Sequence, residues 1–436
     1  YRDLLDAKGP TEWLAYSTLE TESAVLALFA EGVEVRSLDQ GQVGEVVLDR
    51  TPFYAESGGQ IADAGVIETD SAKLEVLDVQ RPIRGLVVHQ VRVLEGEIAA
   101  GASSRANVDP EWRLGACQAH SGTHVVHAAL REVLGPTALQ SGSYNRPGYL
   151  RLDYGWTKAL SHEQLHQVEV AANAALRQDL EVTANYMTLP EARDWGALAL
   201  FGETYDNSEV RVVQIGGPWS RELCGGTHVK RSSQIGTVVL TSESSVGSGN
   251  RRVEALVGIE GFGYLAKERD LVAQLTSTLK VQPDQLQGRI EEMVQRLKST
   301  EKELEKLRLD QLLADTGRLA SEAIDVNGTS FVGYVAKGAA GGDVRSLAMD
   351  IRGKLANDRP AVTAVLGDGG GRVAVVVALN AAAQAAGFSA NDLVRTASTV
   401  LGGKGGGKAD LAQGGGSDPA KAGAALDAIR EALAKG

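Results

Sequence analysis

The chain has 436 residues, of which 43% are hydrophobic and 23% charged, which indicates several folded domains and excludes a mainly disordered protein. Its net charge of −12 argues against nucleic-acid binding by bulk positive charge, although residues 331–436 alone carry +3. Two cysteines exclude a disulfide scaffold, and no apolar run reaches the ~20 residues of a membrane span, so we expect a cytoplasmic protein in a reducing compartment.

A helix followed by a β-rich region is predicted at the start of the chain. Apolar positions such as Leu19, Val25 and Leu28 predict a helix over residues 11–31. From 33 to 108, short alternating runs are separated by glycines and other turn residues. Many short strands with this spacing predict a small barrel or a compact antiparallel sheet.

Three further regions, each with a different sequence pattern, follow in the rest of the chain. Residues 111–134 show helical spacing, and strands and helices alternate up to about 258, which predicts an α+β unit. Residues 262–323 are charged, helical and marked by an imperfect leucine stripe, which predicts two antiparallel helices or a short coiled coil. The apolar runs at 362–366 and 373–379 predict buried strands of an α/β domain.

These patterns predict an α+β multidomain protein. It would contain a small β-barrel-like subdomain, an α+β domain, a helical or coiled-coil segment and a C-terminal α/β globular domain. The predicted domain bounds are 1–110, 111–260, 261–328 and 329–436.

Two short motifs carry the most specific chemistry. His120 and His124 are four residues apart in a helical pattern, so their imidazoles lie on one face of the helix. Cys224 and His228 flank two glycines that permit a tight turn, so thiolate and imidazole can converge. Three histidines and one cysteine are ligands that tetrahedral zinc prefers, so the sequence predicts one Zn2+ per chain.

Other histidines and cysteines have plainer interpretations. His162 and His166 share the four-residue spacing, but they lie in a polar helical pattern and are predicted to be surface residues. Cys117 is predicted to be a small buried side chain, and His127 is a reserve ligand. Ser121 stands where a zinc protease needs a glutamate, which disfavours that class.

The two motifs lie in segments that resemble a known family. Residues 119–135 and 222–229 are similar to the two signature segments of the alanyl-tRNA synthetase editing domain. Further similar segments, in chain order, are 51–60, 199–203 and 251–255, and 405–416 resembles the glycine-rich motif of that family's C-terminal domain. The resemblance covers essentially the whole chain.

The resemblance implies a function and a missing part. In the family an aminoacylation core, which uses ATP and Mg2+ to ligate alanine to tRNA, precedes the editing domain. The chain begins at Tyr1 rather than Met, so we expect a piece of a longer protein that does not ligate alanine itself. The implied activity is hydrolysis of seryl- and glycyl-tRNA(Ala), since an alanine pocket cannot strongly reject these amino acids.

The resemblance also implies partners. The C-terminal domain is expected to bind tRNA(Ala), and residues 261–436 to support a homo-oligomer, with no DNA or membrane partner. Clustered glycines in 402–416 favour an anion-binding backbone nest, the plainer alternative being a flexible linker.

Site residues follow from the resemblance position by position. The implied metal ligands are His120, His124, Cys224 and His228. The implied catalytic group is Thr123, Gln140 and Cys224. The implied substrate and tRNA contacts are Arg251, Arg252, Lys404, Lys408, Asp410 and Gln413.

Some positions leave the mechanism open. No carboxylate lies inside either metal motif to act as general base, and Glu222, the nearest, is expected to have a surface or structural role. Ser121-Gly122 replaces the family's more usual Thr-Ala, and Thr204 stands where a lysine often follows the Phe-Gly-Glu motif. The zinc is either catalytic or purely structural, because four protein ligands close its coordination sphere.

Two rival functions remain from the sequence. One is a free-standing alanyl-tRNA editing hydrolase, which the helical segment and C-terminal domain disfavour. The other is a non-catalytic tRNA-binding and oligomerisation module with structural zinc.

Overall fold

The computed structural model describes residues 1–199 and 208–435, which form two compact units, Tyr1–Thr278 and Leu279–Gly436. The finer division into four domains stays a prediction. Residues 200–203 of the segment that carries part of the resemblance, and Thr204 after it, lie outside the described residues.

The helices have the following bounds: α1 Arg2–Lys8, α2 Pro110–Leu134, α3 His162–Arg177, α4 Leu189–Asp194, α5 Gly258–Leu279, α6 Leu286–Ala314, α7 Thr316–Ser321, α8 Gly341–Lys354, α9 Ala381–Ala385, α10 Ala390–Val400 and α11 Ala422–Lys435. The strands of the first unit are β1 Glu12–Trp13, β2 Glu20–Ala30, β3 Val33–Val35, β4 Ser37–Asp39, β5 Val43–Leu48, β6 Arg50–Thr51, β7 Gly65–Thr69, β8 Ala72–Ile83, β9 Leu86–Ala99, β10 Ser103–Val108, β11 Gln140–Arg146, β12 Tyr149–Gly155, β13 Val182–Met187, β14 Val210–Ile215, β15 Ser220–Leu223, β16 Val238–Gly247 and β17 Asn250–Val257. Those of the second unit are β18 Ile324–Val326, β19 Thr329–Ala336, β20 Ala361–Gly367, β21 Val373–Leu379, β22 Lys404–Gly407 and β23 Leu411–Gly416.

The β-rich start of the chain is a closed barrel, as predicted. Six antiparallel strands follow one another in the order β10, β7, β8, β9, β5 and β2, and β2 pairs back onto β10. The interior is filled by alternating apolar side chains, Leu28, Val46, Ile67, Leu74 and Val91 among them. Closure leaves no free edge among these six strands.

The helix predicted over residues 11–31 is wrong. β2 occupies Glu20–Ala30 and forms a wall of the barrel, paired with β5 on one side and β10 on the other. All seven residues from Ala24 to Ala30 are apolar, so the run has no periodicity that would separate a buried strand from a helix. Cross-strand pairing, which the local sequence does not contain, decides the outcome.

An α+β layer follows the barrel, as predicted. The antiparallel sheet β11-β12-β17-β16 carries α2 and α3 on one face, where side chains such as Leu150, Leu152 and Val253 meet Val126 and Leu130 of α2. A three-stranded sheet, β13-β14-β15, continues the unit.

The helix α2 is fixed at its start and fastened to the barrel. Asp109 caps it by accepting the N–H groups of residues 111 and 112, and a proline fills the first turn. One turn on, the buried Arg113 bonds the Asp63 carboxylate through Nε at 2.9 Å and the carbonyls of Ala15 and Pro52 through its other nitrogens. This ion pair holds the first turn of α2 in a set position against the barrel.

The charged helical region is confirmed as α5, α6 and α7, with a break at residues 280–285. The leucine stripe of α6 remains exposed within the second unit: Ile290, Met293, Leu297, Leu304 and Leu307 are 43–59% accessible. Every described helix is too short or too polar to cross a bilayer.

The second unit contains a three-layer α/β domain, as predicted. Its sheet runs β18-β19-β20-β21-β23-β22, with only β19 and β20 parallel. One face packs against α8 through residues such as Val365, and the other packs against α10 and α11 through Ala364 and Leu366.

The glycine-rich stretch is a β-hairpin, not a flexible linker, and the backbone N–H groups between its strands pair in the ladder rather than forming the expected nest. A Cβ on Gly405 would lie 2.4 Å from Val394 Cγ1, and one on Gly414 would lie 2.3 Å from Ser398 Oγ. Glycine is therefore required here for close approach of β22 and β23 to α10.

Candidate metal centre

The predicted ligands converge. One donor atom from each of His120, His124, Cys224 and His228 lies within 4.8 Å of every other, at a largely buried position. Cys224 Sγ lies 3.3 Å from Nε2 of His120 and 3.3 Å from Nε2 of His228. α2 supplies the first two histidines on one face, and the loop after β15 supplies the cysteine and the third.

Each histidine of this donor set has its other ring nitrogen engaged. For His120 the partner is Gln60, from the barrel, whose Oε1 lies 2.8 Å from Nδ1. The amide of Gln60 is oriented by Thr227, which accepts from Nε2 at 2.7 Å and donates its backbone N–H to Oε1. His120 therefore carries its proton on Nδ1 and presents the Nε2 lone pair to the centre.

His124 is oriented by a buried carboxylate. Oε2 of Glu222 lies 2.8 Å from Nδ1 of His124, an ion-pair contact whose angle falls short of a hydrogen bond. Oε1 of Glu222 lies 2.9 Å from Nδ1 of His127, and His127 Nε2 accepts the N–H of Gln140 at 3.1 Å. Since Nε2 of His127 accepts, its proton is on Nδ1 and points to Glu222.

His228 is held from α2. Oγ of Ser121 lies 3.1 Å from Nδ1 of His228 and accepts the backbone N–H of Val229 at the same distance. Gly226 makes the close packing possible, because a Cβ there would lie 2.1 Å from the ring of His120. The serine of the unusual Ser-Gly pair thus contributes directly to the centre.

The donor set fits zinc. With bonds of about 2.3 Å to sulfur and about 2.0 Å to nitrogen, tetrahedral zinc separates such ligands by roughly 3.5 Å, close to the two sulfur–nitrogen distances here. Nε2 of the buried His124 has no hydrogen-bond partner among the described residues, as expected of an atom that binds a metal. Histidine ligands whose second nitrogens are engaged are typical of zinc sites.

The electrostatics favour the protonation state of a metal ligand at Cys224 and His228 but not at His124. Burial lowers the pKa of His124, but the charges of Glu222 and Cys224 outweigh burial and raise that pKa to about 10, so His124 loses a proton when it binds a metal. Burial raises the pKa of the Cys224 thiol, but the imidazoles of His120 and His228 outweigh burial and hold that pKa well below its ordinary value. Burial lowers the pKa of His228 to about 3, so its ring is neutral. Burial also raises the pKa of Glu222, yet His124 and His127 hold it well below the ordinary range, so the carboxylate is ionised.

The structure corrects the expectation for His127 and decides between the two roles expected for Glu222. His127 is not a ligand, because both of its nitrogens are used by Glu222 and Gln140. Of the two roles expected for Glu222, the structure supports the structural one, because Glu222 is 1% exposed and contacts His124 and His127. Cys117 is buried, as predicted, and donates to Thr227 Oγ1 at 3.2 Å.

The other predicted catalytic residues lie beside the centre on α2 and β11. Thr123 is 1% exposed, and its hydroxyl lies 2.5 Å from Asn145 Oδ1 and 3.0 Å from the carbonyl of Ala119. Gln140 is buried, and its Oε1 has no hydrogen-bond partner among the described residues. Nδ2 of Asn145 is likewise buried without such a partner. Two unpartnered polar groups therefore lie on the strand next to the metal helix, where a polar ligand would satisfy them.

The predicted arginine contacts are both paired with carboxylates. Arg251 bonds Glu243 through two nitrogens, and Arg252 bonds Asp153 at 2.7 and 2.8 Å. Because these pairs neutralise much of their charge, contacts with phosphates remain predictions.

The residues predicted in the second unit all lie on or beside the β22–β23 hairpin. Lys404, Lys408 and Gln413 are exposed, and Asp410 is half-buried at the turn. His162 and His166 are exposed on α3, as expected of surface residues.

Gln60 and Asn145 escaped prediction from the sequence. Gln60 is the last residue of the segment 51–60, which carries part of the resemblance, and its place in that segment could have marked it as a site residue. Nothing in the local sequence distinguishes Asn145.

Three family models match the chain in order. Residues 1–112 match tRNA synthetases class II (A), residues 210–254 match the threonyl and alanyl tRNA synthetase second additional domain, and residues 327–435 match the DHHA1 domain. Two of these models describe aminoacyl-tRNA synthetases, and that is the class of protein to which the matches point.

Curated relatives narrow the class. An alanine–tRNA ligase of Nocardia farcinica is 50% identical over 436 residues, which is 100% of this chain and 49% of that protein. One of Mycobacterium avium is 51% identical over 444 residues, with the same coverage. The C-Ala domain of Aquifex aeolicus alanyl-tRNA synthetase aligns with 26% identity over 26% of this chain and 98% of that domain, with a TM-score of 0.24.

The chain belongs to the alanine–tRNA ligase family. It spans about half the length of the curated relatives that it matches.

Proposed function

We propose that this chain hydrolyses the ester of tRNA(Ala) misacylated with serine or glycine. One observation carries the proposal: three histidines and a cysteine converge in a buried centre, beside the unpartnered polar groups of Gln140 and Asn145. The second-additional-domain match over residues 210–254 contains two of the four donor residues.

The metal centre would hold Zn2+ through His120, His124, Cys224 and His228. When bound, zinc supplies Lewis acidity, which polarises a carbonyl oxygen or lowers the pKa of water. The unpartnered Oε1 of Gln140 accepts a hydrogen bond from the serine hydroxyl or the amino group of the substrate.

Asn145 and Thr123 together provide a hydrogen-bond donor for the substrate. The hydroxyl of Thr123 donates to Asn145 Oδ1, which leaves Nδ2 of Asn145 as the free donor. We therefore assign Thr123 to the positioning of Asn145 rather than to direct contact with substrate. These unpaired polar groups favour the serine ester over the alanine ester, because the serine hydroxyl pairs with them whereas the methyl side chain of alanine leaves them unpaired.

Hydrolysis of seryl-tRNA(Ala) by this chain tests the proposal. We expect rapid loss of serine and glycine, slow loss of alanine, and no hydrolysis by Cys224→Ala. Cys117→Ala is the matched cysteine control and should retain activity within a few-fold. If the zinc-loaded chain still binds tRNA but does not hydrolyse the serine ester, the proposal of an enzyme is overturned and the chain is a tRNA-recognition module.

We propose that the second unit contributes tRNA binding through Lys404 and Lys408 on the hairpin. Replacing both with glutamine should weaken tRNA binding and reduce its salt slope by about 2. Lys435→Gln, also exposed, is the control. An unchanged slope in the double variant would contradict this assignment.

We also propose that α6 pairs with a second copy of the chain. Its exposed leucine stripe is flanked by Arg289 and Arg296 near one end and by Glu303 and Asp310 near the other, at seven-residue spacing. An antiparallel copy therefore places opposite charges together. Sedimentation equilibrium should show a dimer that Leu297→Lys disrupts, and a monomeric wild type would overturn the proposal.

A further inference from the structure

A group of aromatic and cationic side chains lies between the barrel and the loop of the metal centre. We call Trp13, Tyr16, Arg81 and Arg211 the edge cluster. The rings of Trp13 and Tyr16 meet edge to face, with centroids 4.8 Å apart. The guanidinium of Arg81 lies 3.7 Å from the Trp13 centroid, and that of Arg211 lies 4.2 Å from the Tyr16 centroid.

Tyr16 is exposed and yet held in place. Its hydroxyl donates to the carbonyl of Gly225 at 2.5 Å, and Gly225 directly follows the donor Cys224. The residue is nevertheless 42% accessible. Arg211 lies over one face of the ring and Trp13 packs against it at an interplanar angle of 67°, so the accessible part of Tyr16 belongs to a ring that two neighbours hold in place. A planar group that stacks there meets a ring that is already ordered, and the entropic cost of binding is small.

The edge cluster is also positively charged. Arg211 donates through Nη1 to the carbonyls of Cys224 and Gly226, which ties it to the metal loop. Arg81 is exposed and rests on Trp13. Among residues 1–199 and 208–435, no carboxylate forms an ion pair with either arginine. An exposed ring next to two guanidinium groups is complementary to a nucleotide, which offers both a flat base and a phosphate.

We propose that Tyr16 stacks with the base of the 3′-terminal nucleotide whose ester is hydrolysed, and that Arg81 contacts a phosphate of that single-stranded end. The inference rests on the proposed function, because the terminal nucleotide comes close to the donor set only if its ester is hydrolysed there. The ribose alone separates base from ester, so a base-binding surface must adjoin the metal loop. Tyr16 meets that requirement through its bond to Gly225.

Binding of two uncharged RNAs tests the assignment. One is a minihelix with the acceptor stem of tRNA(Ala) and its 3′-terminal adenosine, and the other is identical except for an abasic terminal nucleotide. Fluorescence anisotropy with the zinc-loaded chain should show preference for the adenosine end. Tyr16→Leu should lose about 5- to 100-fold in affinity for that RNA and nothing for the abasic one.

Two further variants complete the binding test. Tyr16→Phe keeps the ring and loses only the bond to Gly225, so its affinity should stay within about threefold of wild type. Arg81→Gln should weaken both RNAs equally and lower the salt slope by about one. Equal binding of both RNAs by wild type, or unchanged binding by Tyr16→Leu, would overturn the stacking. An unchanged salt slope in Arg81→Gln would overturn the phosphate contact.

Hydrolysis of the seryl minihelix separates this inference from the proposed function. We expect Tyr16→Leu to raise KM by a factor similar to its loss in affinity and to retain zinc. If wild type fails to hydrolyse the ester, the proposed function falls, while the binding comparison still decides the role of Tyr16. If wild type hydrolyses it and Tyr16→Leu does so with unchanged KM, the inference alone falls.

Discussion

The carboxylate of Glu222 lies 2.8 Å from Nδ1 of His124, where it fixes the ring of a histidine of the donor set. Its second oxygen contacts His127, which in turn accepts the N–H of Gln140 at the start of β11. A continuous chain of polar contacts therefore joins the donor set to the strand that carries Gln140 and Asn145.

Glu222→Gln should weaken zinc binding by about 10- to 100-fold, because an amide replaces the ionised carboxylate that faces both His124 and His127. Competition with a chromophoric chelator measures the affinity. Substitution of Co2+, whose absorption reports tetrahedral coordination, shows whether the four ligands are retained. Glu163→Gln on the exposed face of α3 is the control. Equal zinc affinity in both variants would contradict the role of Glu222.

Gly226→Ala should abolish stoichiometric zinc binding, because its Cβ would lie 2.1 Å from the ring of His120 and 2.9 Å from Gln60 Oε1. The neighbouring Gly225→Ala is a matched control, since its nearest neighbour is the Tyr16 hydroxyl at 3.9 Å. Elemental analysis of both purified variants gives the zinc content. A fully loaded Gly226→Ala protein would show that the loop can move away without loss of the site.

The barrel should lose stability in acid through His89. Its ring is fully buried between Thr51 and Val46, and burial lowers its pKa to about 4. The unfolded state takes up this proton near pH 6.5, so the contribution of His89 to stability falls by about 1.4 kcal/mol per pH unit from 6.5 to 4, and is constant below.

Amide exchange of the barrel at several pH values measures this effect. His89→Gln should remove that part of the pH dependence, whereas His162→Gln, at an exposed position, should keep it. Parallel pH profiles for wild type and His89→Gln would show that another group is responsible.

Gly414→Ala should destabilise the second unit by about 1–3 kcal/mol, because the new Cβ would meet Ser398 Oγ at 2.3 Å and the backbone of Gly405 at 2.7 Å. Gly406→Ala on the partner strand meets only Asn391 Oδ1, at 3.4 Å, and should be nearly neutral. Hydrogen exchange of β21 and β23 in the full chain gives both values. Equal protection in the two variants would mean that the hairpin shifts on α10 at no cost.

The donor residues were predictable because their signal is local. His120 and His124 follow helical spacing, and two glycines beside Cys224 indicate a tight turn. Gln60 was not predictable, since its partner Thr227 lies 167 residues away and only the closed barrel brings them together. The helix predicted around Val25 failed for the same reason: strand pairing with β5 and β10 decides that segment.

Gln60 links the barrel to the metal centre, because its amide oxygen accepts hydrogen bonds from both His120 and the N–H of Thr227. A metal that binds only when the four donor residues are in their folded positions raises the free energy of unfolding of every segment that holds them there. Zinc occupancy should therefore slow amide exchange around Gln60, in a part of the chain that donates no ligand. Amide exchange in this loop of the barrel therefore reports whether zinc is bound, and the measurement needs no substrate.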